Sequence, residues 1–128
     1  MSIRETSTTK IRSQETSYAF GQLGSVYTTS SSTAITPPTG KVFVAITMLE
    51  DTVFDAAGGL IADTTNTASE GLEYIGTDVA AHDAGTATGL TGTAGLVVDS
   101  VTFPKGVTIY GRWTEIDVDS GKIVAYIG

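Results

Sequence analysis

The sequence predicts an all-β fold, a single compact antiparallel β-sandwich or barrel with an extended N-terminal arm, and three observations carry that expectation. The last thirty residues, Asp99 to Gly128, hold three strand-like runs separated by turn chemistry, and the chain stops inside the last of them. Lys41 to Glu50 is a longer run of β-forming residues with the two-residue period of a strand. The composition is rich in Thr, Ser and Gly, with 15 glycines and only 16% charged residues, and is poor in strong helix formers. At 128 residues the chain fits one domain. A chain of that size buries roughly two-thirds of its unfolded surface, enough for one core.

Residues 1–17 are polar without a sustained period and read as the arm; residues 18–128 read as the β-domain. Tyr18 to Thr29 holds scattered apolar residues interrupted by Gly21 and Gly24, which suggests one or two short strands. Ser30 to Thr33 is a loop. Ala34-Ile35-Thr36 then runs into Pro37-Pro38-Thr39-Gly40, a strong breaker whose prolines cannot donate to a ladder. In Lys41–Glu50, Val42, Val44, Ile46 and Met48 alternate with Phe43, Ala45, Thr47 and Leu49. Both faces are largely apolar, so a central strand is expected, or one whose outer face meets another subunit.

Glu50-Asp51 ends that strand, Val53-Phe54 continues it briefly, and Asp55 to Gly59 turns into Leu60-Ile61-Ala62. Gly71 to Gly76 reads as a further short strand. Residues 77–95, with several glycines among Ala and Thr, read as a long loop. Leu96 to Phe103 returns to strand, and Pro104-Lys105-Gly106 is a tight turn with Pro at its first central position. Val107, Ile109, Gly111 and Trp113 share one face, while Ile116 and Val118 fall in the opposite phase. A β-bulge near Arg112–Glu115 would reconcile them. Asp119-Ser120-Gly121 is expected to close a hairpin onto Ile123–Ile127.

Charge and cysteine content narrow the function classes. Without cysteine, disulfides and thiolate metal sites are excluded. No apolar run approaches the ~18 residues of a membrane-spanning helix, and the N-terminus lacks the apolar stretch of a secretory signal. A soluble protein made in the cytoplasm is expected, with no membrane partner. Arg4, Lys10 and Arg12 against Glu5 give the first twelve residues +2; residues 13–128 carry 13 acids and 4 bases, so −9. That body disfavours a nucleic-acid partner, which needs clustered Lys and Arg. The arm suits docking on an acidic protein surface, or is a solvated tail.

Each candidate for chemistry has a plainer reading. His82, with Asp78 and Asp83 nearby, is a single imidazole in the long loop and reads as a surface histidine. Glu115, Asp117 and Asp119 alternate along one strand face and could ligate Ca²⁺ through oxygen, or form the solvated side of an edge. The pairs Asp55 with Asp63 and Glu50 with Asp51 have glycosidase character only if their spacing allows it. A nucleophile elbow, phosphate loop, dinucleotide fingerprint and HExxH are absent from the sequence. No catalytic residue, metal ligand or cofactor is therefore assigned, and no enzyme activity is expected. Trp113 reads as a core anchor; Tyr110 and Arg112, on the opposite side of that strand, read as a subunit or partner contact.

FPKGVTIYGRW at 103–113, followed by a short hairpin ending in IVAYIG, resembles small virion structural proteins of tailed bacteriophages. VFVAITMLEDTVFDAAGGLIAD at 42–63 is similar to the central strand and following turn of such proteins. Proteins with this look are capsid decoration, or cement, proteins or are known only as structural. The resemblance implies a non-enzymatic protein on the outer capsid surface of the virion, bound to the major capsid protein and stabilising the head. It also implies a homo-oligomer, commonly a trimer, whose arm lies on the lattice; Arg4, Lys10 and Arg12 would then be capsid contacts. The alternatives are a phage tail or head-fibre module with receptor or glycan binding, and a small β-sandwich carbohydrate-binding domain or hydrolase.

Overall fold

The computed structural model describes residues 23–31, 33–63, 74–77 and 96–128. Arg4, Lys10, Arg12, the arm as a whole, His82 and all of the 77–95 loop but Thr77 lie outside them. So do Tyr18–Gln22 and Gly71–Glu73 of two expected strands. Every named element among the described residues is a strand, and all pairings are antiparallel. They are β1 (Ser25–Thr29), β2 (Phe43–Met48), β3 (Val53–Phe54), β4 (Leu60–Ala62), β5 (Thr108–Ile116), β6 (Val118–Ser120) and β7 (Lys122–Ile127). Five form one sheet in the order β1-β7-β2-β5-β4; β3 and β6 form a second, two-stranded sheet. The fold is all-β, as the turn-separated runs predict.

β2 is central, as its two apolar faces require, but its alternation is not the simple one expected. Its register against both neighbours shifts between Phe43 and Ala45. The shift brings Phe43 into the core beside Ile46 and Met48, and leaves Val44 only partly covered. One register slip reverses which face a side chain serves.

The C-terminal run departs further from expectation. Asp119-Ser120-Gly121 does not close a hairpin: β6 pairs with β3, while β7 pairs with β1 and β2. The chain bends at Gly121 and changes sheets. β2 and β3 make the same change beside it, with the Leu49 N–H donating to Lys122 O at 2.8 Å. Thr52, fully buried, fills the inside of this corner, and its hydroxyl donates to Glu50 O at 2.8 Å. Gly121 has φ +103°, and a Cβ there would stand 2.5 Å from Asp51 O. Turn residues fix where a chain bends, not which partner its flanks then find.

β5 carries the anticipated irregularity. Ile61 pairs with Glu115 but Ala62 with Trp113, so Thr114 is an extra residue, inside the expected Arg112–Glu115 window. This lets Trp113 and Ile116, three apart in sequence, both enter the core. One cluster joins Phe43, Ile46, Met48, Leu60, Trp113, Ile116, Ile123 and Ala125 of the large sheet to Phe54 and Val118 of the small one. Burying each of the larger side chains contributes about 1.5–3 kcal/mol.

Leu96–Phe103 is not a strand, and the described end of the expected Gly71–Gly76 strand is not one either. Tyr74–Thr77 is irregular, yet it lies beside β4, with the Thr77 N–H donating to Leu60 O and the Leu60 N–H to the Thr77 hydroxyl, both at 2.9 Å. Leu96–Phe103 contains a turn at Asp99-Ser100, and only Phe103 forms a bridge, to Thr52. Phe103 packs edge-on against Phe54, with ring centroids 5.5 Å apart. In the turn that follows, the Val107 N–H reaches Pro104 O, so Pro104 holds the first corner and not the first central position. Gly106, at φ +88°, takes the position that needs positive φ.

Candidate functional site

The ladder registers define the outer face of the large sheet. Ser25 stands beside Tyr126, Tyr126 beside Ala45, and Ala45 beside Tyr110; the next row runs Tyr27, Val124, Thr47, Thr108. Their sequence neighbours Val26, Ala125, Ile46 and Ile109 belong to the core or pack on it, so these eight side chains face outward. None is charged. Tyr27 and Tyr110 are 57% and 67% exposed, whereas Ala45, between Tyr126 and Tyr110, is only 4% exposed. Thr47 and Thr108 join their hydroxyls across strands at 2.9 Å. The result is an uncharged patch of tyrosine, threonine and small residues; exposed tyrosine and a lack of charge are marks of interface cores.

Charge is confined to the borders of this patch. At one end Lys122 pairs with Glu50 at 3.2 Å. The Glu50 hydrogen bond, then its charge, and then Tyr27 hold the lysine above its ordinary pKa. On the β4 side, Arg112 Nε donates to Asp63 Oδ2 at 3.2 Å, and the Asp63 N–H donates to Arg112 O at 2.8 Å. The Asp63 side chain is 8% exposed. Of the two residues expected to meet a partner, Tyr110 is the open one; Arg112 has its charge engaged within the subunit.

Trp113 is fully buried, and its indole N–H donates to Ile75 O at 2.8 Å. A Cβ at position 111 would lie 2.7 Å from the Trp113 ring, so only glycine fits beneath it. Asp51, Asp55 and Asp117 are also tied into local structure. The Asp51 carboxylate accepts the Lys105 N–H at 2.9 Å, which ties the 104–107 turn to the corner. Asp55 and Asp117 meet where the Asp55 N–H donates to Asp117 O and the Asp117 N–H to Gly59 O. Desolvation first, then the charge and hydrogen bond of Asp55, and then Asp119 raise the Asp117 pKa.

No group of three or more His, Cys, Asp or Glu side chains that could hold a metal ion occurs among the described residues. Neither acid pair named as glycosidase-like faces its proposed mate alone: Glu50 is bonded to Lys122, Asp51 to the Lys105 backbone and Asp63 to Arg112. The tyrosine rows were not visible in the sequence as a unit. Tyr27, Tyr110 and Tyr126 sit on three different strands and meet only through the sheet order. No family model, curated protein or solved structure matches the chain.

Proposed function

We propose that this protein is a non-enzymatic decoration protein of a tailed-bacteriophage head, binding the outer surface of the major capsid lattice and stabilising the shell. The observation that carries the reading is the uncharged outer face bearing Tyr27, Tyr110 and Tyr126. Rigid aromatic side chains on a regular strand lose little entropy on docking and bring large contact areas. Uncharged rows also avoid burying unpaired charge in a body of strongly negative net charge. The likeness of residues 42–63 and 103–113 to small virion proteins names the partner class. The basic arm residues Arg4, Lys10 and Arg12 would add contacts on acidic parts of the lattice. Each bound copy then stabilises the assembled shell by mass action.

Mixing the purified protein with expanded shells that lack it tests this reading. Saturable, stoichiometric binding that raises the shell melting temperature is expected. Tyr110→Asp and Tyr27→Asp are each expected to weaken binding about tenfold or more while the subunit stays folded. Binding to host cells or glycans in place of shells supports the fibre alternative. Hydrolase activity lost in His82→Ala supports the enzyme alternative.

A further inference from the structure

We propose that β1 is an open pairing edge that takes up the same strand of a second copy, antiparallel, about a twofold axis at Tyr27. The phase of the β1–β7 ladder is fixed by the Ile127 N–H donating to Gly24 O at 2.8 Å. Val26 and Thr28 therefore exchange backbone bonds with Ala125 and Ile123. The N–H and C=O groups of Ser25, Tyr27 and Thr29 point away from the sheet, and no backbone partner meets them among the described residues.

The two edges of the sheet are treated differently. β4 has three residues, a register shift, and a cover provided by Thr77. β1 has five residues, SVYTT, with no Pro, Lys or other charge and no bulge. It lacks the devices by which edges usually refuse a neighbour. A second copy fits it for two reasons. Under the twofold axis, Tyr27 pairs with its own equivalent and Ser25 with Thr29 of the other copy, so every outward group finds a mate. The edge also brings no charge into the pairing: β1 is neutral although residues 13–128 carry −9, and Lys122, opposite Thr29, is already paired with Glu50. The pairing joins two tyrosine faces into one continuous surface. It goes beyond lattice binding and is tested without shells, so either can fail alone.

The test is sedimentation equilibrium of the full chain over a wide concentration range, with amide hydrogen exchange read at Ser25, Tyr27 and Thr29. Reversible dimerisation is expected, with those three amides slowing as the dimer fills. Tyr27→Pro removes an outward N–H that the subunit itself does not use, and should raise the dimer dissociation constant about tenfold or more. Ser25→Lys places a charge on the edge opposite the uncharged Tyr126, away from Lys122, and should do the same. Fast exchange of the three amides at every concentration would overturn the proposal. So would slow exchange in a monomer, or association that neither variant weakens.

Discussion

Trp113 connects three parts of the structure. Its ring fills the core, covers Gly111, and sends its N–H to Ile75 O at 2.8 Å. Trp113→Phe keeps most of the apolar volume but leaves that carbonyl unsatisfied. A loss of about 1–3 kcal/mol is expected by chemical denaturation, with faster exchange of the Thr77 N–H. Asp117 is the opposite case, a side chain its surroundings disfavour as an anion. Its pKa is raised in the folded state, so folding takes up a proton there. The contribution is therefore most favourable below the ordinary aspartate range and is lost as pH rises through the raised value. Asp117→Asn should raise Tm at neutral pH, on the order of a degree given its solvent screening, with the gain fading in acid. The core role of Trp113 could be read from one strand's alternation. The bond to Ile75 could not, because a 38-residue separation leaves no local trace.

Strand identity followed pattern where a segment stays within one sheet. β2 and the β5 irregularity were both readable, the first from its two apolar faces and the second from the phase change between Trp113 and Ile116. The misread elements share a cause. Asp119-Ser120-Gly121 carries hairpin chemistry but serves as a corner, and Leu96–Phe103 has strand composition but contributes one bridge. Local propensity cannot report which partner is available. The corner gives a direct test. Gly121→Val must adopt positive φ and push against Asp51 O and Thr52, costing about 2–3 kcal/mol. A lowered urea midpoint with an unchanged m-value is expected.

Among the described residues the molecule presents an uncharged sheet face and an open sheet edge. The face joins tyrosines from β1, β5 and β7 through the sheet order, which is why no single stretch of sequence announces it. In the proposed function, the resemblance suggests the partner class and the face would be the means of contact. On the proposed function, the work of the subunit is to fit against other proteins. The most direct measurement is a cryo-EM density map of decorated particles, fine enough to orient each subunit. The expected map has the protein on the shell exterior, with Tyr27, Tyr110 and Tyr126 buried against the capsid protein. A map lacking it there, or showing those three tyrosines turned to solvent, would contradict the account.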